Sequence, residues 1–159
     1  MRYLALALLL IFTSCSRSVD PDVAQMRVRA LQTHTFVGCD AKTITKEIIS
    51  TLQDDGYMIK NANTEIGLLT AEQDINIEKF SSKFFAYLFS GRRARWKKQS
   101  IIELTTNITE KGGKTKVRVN YLLRVFDNRG RVIDVHQILD EEIYTDFFTK
   151  VQKGLLTSG

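Results

Sequence analysis

The chain has 159 residues, 43% of them hydrophobic and 26% charged, with one proline and two cysteines. That composition excludes low-complexity and disulfide-rich chains and leaves enough length for one domain with its own core. The formal net charge is +5, a modest basic excess that is unevenly distributed.

The first residues differ from the rest. Arg2 gives a short basic start, and Tyr3 to Phe12 is an unbroken apolar run of ten residues. Such a run is too short to cross about 30 Å of hydrocarbon as a helix, but it suits a signal-peptide core. Thr13 and Ser14 are small, and Cys15 follows. This order resembles the lipobox of bacterial lipoproteins, with Phe12 where that family usually has Leu. The resemblance implies a signal peptide over 1–14, cleavage before Cys15 and diacylation of the Cys15 sulfur. Ser16 stands where Asp would mark inner-membrane retention in enterobacterial lipoproteins, so the resemblance implies an outer-membrane anchor facing the periplasm. With Cys15 lipidated, Cys39 is the one thiol left and no intramolecular disulfide can form. Residues 15–25 then read as lipidated cysteine and polar linker, ahead of a single domain over 26–159.

Residues 26–37, MRVRALQTHTFV, alternate for most of their length and are expected to form a strand. Gly38 and Asp40 break the pattern, with Asp40 as an N-cap. Ala41, Ile44, Ile48 and Leu52 then recur at helical spacing up to Asp55, and Gly56 closes that helix. Tyr57 to Lys60 is a short strand and residues 61–65, NANTE, a turn. Two extended segments follow. Ile66, Leu68 and Thr70 share one face of the first, and Ile75 and Ile77 one face of the second.

Ser100 to Thr109 is a strand with Ile102, Leu104, Thr106 and Ile108 on one side. Lys111-Gly112-Gly113-Lys114 is a hairpin turn. The return strand carries Val117, Val119, Tyr121, Leu123 and Val125 inward and Arg118, Asn120 and Arg124 outward. Asp127-Asn128-Arg129-Gly130 turns again, and Val132 to Ile138 is a third strand. Asp140 caps a last helix whose buried face is Tyr144, Phe147, Phe148, Val151 and Leu155. The expected fold is α+β, an antiparallel sheet of about five strands packed by two helices. In element order it resembles the helix-grip domains of small outer-membrane lipoproteins of the BamC type, in which a sheet curls around a helix.

One stretch stands out chemically. Residues 79–102 hold seven basic residues (Lys79, Lys83, Arg92, Arg93, Arg95, Lys97, Lys98) and no acidic one. Without Arg2 the chain has twenty-two basic residues, so removing these seven leaves fifteen against eighteen acidic ones. The first half is aromatic, with Phe80, Phe84, Phe85, Tyr87 and Phe89, and Trp96 interrupts the basic cluster. An insertion at about 79–99 with this composition suits an acidic protein partner or anionic lipid through Arg92, Arg93, Arg95, Trp96, Lys97 and Lys98. The plainer reading is a helix whose aromatics belong to the core, followed by a solvated basic loop. Nucleic acid is not an expected partner of an exported chain.

Other candidates are thinner. His34, Cys39 and His136 lack the fourth ligand and compact spacing of a zinc site, and no motif surrounds Cys39. Asp54 and Asp55 could together hold a cation, but they more simply solvate a helix end, where negative charge is slightly unfavourable and leaves room for a compensating Lys or Arg nearby. There is no phosphate loop, nucleophile elbow or HExxH. No catalytic residue, metal or cofactor is expected. The reading that follows is a non-enzymatic accessory or scaffold of an envelope protein complex, in outer-membrane protein assembly or secretion. The alternative is a lipoprotein that binds lipid or another small apolar ligand.

Overall fold

In the computed structural model, residues 21–76 and 99–157 are described. Cys15, the linker before Pro21 and the basic stretch from Arg92 to Lys98 lie outside them. The described residues form an α+β fold of six antiparallel strands and three helices.

The helix α2 (Ala41–Asp54) forms where the apolar spacing indicates. Asp40 caps it, accepting a hydrogen bond from Thr43 N at 2.6 Å. That contact holds the Asp40 carboxyl below the usual carboxylate range. The far end closes in a Schellman arrangement, with Gly56 at positive φ. There Tyr57 N donates to Leu52 O at 2.8 Å and Gly56 N to Gln53 O at 3.0 Å. Ile44, Ile48 and Leu52 are fully buried beneath it.

The sheet runs β1 (Thr33–Val37), β5 (Lys114–Phe126), β4 (Gln99–Lys111), β3 (Leu68–Asn76), β2 (Met58–Asn63). The sixth strand, β6 (Val132–Ile138), also pairs with β5. Because β4 occupies one side of β5, β1 and β6 share the other. β1 lies along residues 114–118 and β6 along residues 121–126. Asn120 stands at their junction, its Oδ1 accepting from Gln32 Nε2 at 3.2 Å and from Gln137 Nε2 at 2.7 Å.

The β4–β5 hairpin behaves as its alternation requires. Ile102, Leu104, Thr106 and Ile108 face inward beside Val117, Val119, Tyr121, Leu123 and Val125, all buried. The sheet is open, and α2 and the last helix, α3 (Glu141–Thr157), cover its inner face. Tyr144, Phe147, Phe148 and Val151 of α3 complete the core, with Tyr144 Oη donating to Ile138 O at 2.8 Å.

Three expectations need correction. Residues 26–31 are not strand: the helix α1 spans Pro21–Leu31, and only Thr33–Val37 is extended. A four-residue alternation, Met26 to Arg29, was outweighed by helix signals: proline at the first position, Asp22 in the first turn and a run of good helix formers. The polar linker is correspondingly shorter, since 21–25 belong to α1. Asn61–Asn63 belong to β2 rather than to a turn. Asn63 Oδ1 instead accepts from Glu65 N at 3.0 Å and Ile66 N at 3.3 Å, forming the turn that follows. Finally, the two extended segments merge into one strand, β3, over Leu68–Asn76, with Ile77 outside the described residues. Its core face holds Leu69, Ala71 and Ile75, while Leu68 points outward and is exposed.

Candidate functional site

The basic stretch leaves and rejoins the sheet at one place. Asn76 at the end of β3 is the register partner of Gln99 at the start of β4. A hairpin can be closed at such a point by about two residues. Here twenty-two, residues 77–98, intervene. The sheet does not need them to join its strands, and they include all seven basic residues counted above.

The described ground around this insertion point carries paired charges and is partly apolar. On the outer face, Arg124 of β5 is bonded to Glu103 of β4 and lies 3.9 Å from Glu72 of β3. Glu72 also takes Lys60 Nζ of β2 at 3.2 Å. Ile101, Leu122 and Phe126 surround this network on the same face, each half-buried. Gln99 Nε2 reaches Asp74 Oδ1 at 3.5 Å. Next to it, the hydroxyl of Ser100 is buried without a hydrogen-bond partner among the described residues, as is that of Thr106.

Asp55 has the partner its position leaves room for. Lys150 Nζ of α3 lies 2.7 Å from Asp55 Oδ1 and 2.9 Å from Asp146 Oδ2. These bonds raise the Lys150 pKa above its ordinary value, Asp55 first and Asp146 second. The pair crosses an open groove of about 480 Å³ between α2 and α3, lined by Glu47, Ser50, Asp54, Asp55, Lys150 and Lys153 among others. Its α2 wall carries the acids Glu47, Asp54 and Asp55 and its α3 wall Lys150 and Lys153, so the two signs face each other across it. Glu47 lies so close to Gly154 that a side chain there would displace its carboxylate.

The histidines are not neighbours. His34 sits opposite Val117 and His136 opposite Leu123, six positions apart on β5 and so about 20 Å along the strand. His34 stacks on Phe148 with ring centroids 5.2 Å apart and meets Phe36 edge-on at 4.7 Å. His136 Nε2 lies 3.0 Å from Asp134 Oδ2. Cys39 is a half-buried free thiol whose carbonyl accepts from Thr115 Oγ1 at 2.7 Å. Among the described residues no group of three His, Cys, Asp or Glu side chains could hold a metal ion. Nor is any described helix long and apolar enough to cross a membrane.

Sequence reasoning missed the outer-face network, because it joins residues from four strands whose order the sequence does not state. Opposite charges at 60, 72, 103 and 124 were the only visible signal.

No family model matches the chain, and no curated protein matches it. Among solved structures, it is similar to a DUF4468 family protein from Bacteroides ovatus ATCC 8483, with 14% sequence identity and a TM-score of 0.44. The match covers 77% of this chain and 84% of that one.

Proposed function

We propose that the chain is a non-enzymatic lipoprotein, anchored through Cys15 to the periplasmic face of the outer membrane, that serves as an accessory of an envelope protein complex. The observation that carries this reading is the insertion between Asn76 and Gln99. Strand ends that are already register partners are separated by a segment holding Arg92, Arg93, Arg95, Lys97, Lys98 and Trp96. Five cations within seven residues repel one another, so counter-charges outside the chain favour a docking role. Trp96 would supply an apolar anchor among them. The first fifteen residues, by their resemblance to a lipobox, supply the anchor to the membrane.

The test has two arms. Cys15→Ser should abolish palmitate labelling and release the protein from the membrane fraction. Continued labelling and retention would remove the anchor from the reading. Replacing the five cations by Gln should leave lipidation intact and reduce the protein recovered with its complex after extraction in mild detergent. That loss should be reproduced by salt on the unaltered protein, as the Debye length falls from about 10 Å at 0.1 M to about 3 Å at 1 M. A monomer that co-purifies with extracted lipid would instead support a ligand-binding lipoprotein.

A further inference from the structure

The two edges of the sheet are built differently. At one edge, β2 carries Lys60 and the asparagines 61 and 63, with a register shift between Ile59 and Asn61. A charged side chain and a bulge are the usual means of keeping an edge strand from pairing with another chain. At the other edge β6, sequence VIDVHQI, also has an irregularity, at Ile133, and a charge, Asp134, but neither lysine nor proline, and it differs from β2 in the apolar side chains it leaves exposed. Among the described residues it pairs only with β5. Val132, Ile133 and Val135 are 49%, 50% and 52% exposed, and Leu139 just beyond is 43% exposed. β-Branched residues on an open edge form a template for strand addition.

We propose that β6 is a self-association surface, on which a second copy of this chain adds its own β6 in antiparallel register about a two-fold axis. The occupant is set by the order of side chains. Full overlap of two antiparallel copies of Val132–Ile138 puts Val135 opposite its own symmetry mate. Asp134 then stands opposite the partner's His136, and His136 opposite the partner's Asp134. The register of greatest overlap is therefore also the register of matched polarity. A one-residue slide would pair residues that point to opposite faces of the pleat, and a two-residue slide to either side would set Asp134 or His136 opposite itself.

Within one chain the same groups already pair, Asp134 Oδ2 lying 3.0 Å from His136 Nε2. Each carboxylate in the dimer would thus lie between two imidazoles. Asp134 Oδ1 also accepts from Val135 N at 3.0 Å. A carbonyl of the added strand can take over that donor, since a strand edge offers acceptors at the same spacing. The irregularity in β6 falls at Ile133, outside the three central pairs. The arrangement is isologous and closes on itself, so it yields a dimer and not a filament.

A disulfide requires Cα atoms about 4.4–6.8 Å apart, and directly opposed antiparallel residues stand about 4.5–5.5 Å apart. In full-length protein purified in mild detergent and carrying Cys39→Ser, Val135→Cys should form a reducible dimer on mild oxidation. Ile133→Cys is the control, because its own mate would lie about 14 Å away. It should yield at least about tenfold less dimer. The register has a second test by sedimentation: His136→Asp opposes carboxylates and should weaken dimerisation by at least about tenfold. The exchange Asp134→His/His136→Asp should restore it. The proposal is overturned if the unaltered protein sediments as a monomer up to about 100 μM. It is equally overturned by comparable crosslinking at positions 133 and 135, or by an exchange that fails to rescue a folded protein. Recovery of a monomer with a foreign extended peptide on β6 would also overturn it, leaving strand addition with a different occupant.

Discussion

Strands β5 and β6 lie side by side, and both alternate in sequence, yet their environments are opposite. Every second residue of β5 from Val117 to Val125 is buried, and the residues between them point to the outer face. In β6, only Ile138 is buried, and the β-branched residues Val132, Ile133 and Val135 stay in contact with solvent. The difference comes from neighbours and not from pattern. β5 has β4 along one side and β1 with β6 along the other, and α2 and α3 seal its inner face. Among the described residues, β6 has a single strand neighbour, β5. Alternation therefore identifies a strand, while its place in the sheet decides what its apolar residues do.

The largest effect should come from breaking the buried side of this comparison. Val119→Asp would bury an unpaired carboxylate at a fully buried position beside Thr106. The expected loss is about 4 kcal/mol or more, measured by urea denaturation. For a domain whose stability is typically about 5–15 kcal/mol, this leaves little folded protein. Arg118→Asp, one residue away on the exposed face, should change stability by about 0.5 kcal/mol or less. Reversed sensitivities would mean the strand register is wrong.

Next in size is a backbone effect at the turn leading into β3. Gly67 has φ of 66°, and its carbonyl accepts from Ile108 N at 2.8 Å. A Cβ there would overlap the Ile108 carbonyl, which is strand backbone and cannot step aside. Gly67→Ala should therefore cost about 2–4 kcal/mol, combining the left-handed penalty with a displaced strand. Gly113→Ala serves as the comparison: its φ is also positive, but nothing lies within reach of an added Cβ. Equal losses at both positions in thermal denaturation would show that the close approach to β4 contributes nothing.

A third effect depends on pH. Burial raises the pKa of Tyr57, with Asp55 adding to the shift. Burial likewise raises Tyr121 and Tyr144, although hydrogen bonds with Gln32 and Tyr121 oppose part of the Tyr144 shift. The folded state thus holds these protons above pH about 10, where an unfolded chain releases them. Stability is fully present below that pH and falls as pH rises past it, by up to about 1.4 kcal/mol per unit for each such tyrosine. Lys150, raised by Asp55 and Asp146, acts in the same direction. Phenolate absorbance from these three tyrosines should grow only as the circular dichroism is lost. Early ionisation at pH 10 with the fold intact would show that they are not sealed from water.

Legibility in the sequence followed the length of each periodic signal. The β4–β5 hairpin alternates along thirteen-residue strands with a Gly-Gly turn between them, and its register could be read directly. α2 was equally plain, because its cap, its apolar face and its closing glycine agree. α1 was missed because four alternating residues, Met26 to Arg29, imitate a strand inside a helix. The charge at the helix end allows for a Lys or Arg near Asp55, but that the partner is Lys150 depends on the packing of α3 over α2, ninety-five residues away. For β6, the strand was legible and its solvent contact was not. That contact comes from its place in the sheet, with β5 on one side and no described strand on the other, which no local pattern encodes.

The smallest stability effect should come from the exposed side of the comparison, at Val135. Its side chain lies on the outer face opposite Arg124 and is 52% exposed, so little apolar area is withdrawn from water. Val135→Asp would lose some strand propensity and gain a cation across the pair, two contributions of similar small size and opposite sign. Urea denaturation at high dilution should therefore place the variant within about 1 kcal/mol of the unaltered chain. The same substitution in Val119 should cost several times more, although both are valines in alternating strands of one sheet. Concentration separates the two roles that Val135 can have. In an antiparallel β6 pair, Val135→Asp would set two carboxylates directly opposite each other, so dimer formation should fall even where the monomer is intact. A variant that is stable but monomeric assigns Val135 to association. A variant that unfolds at high dilution assigns it to the core, and would mean that β6 is covered in the free protein.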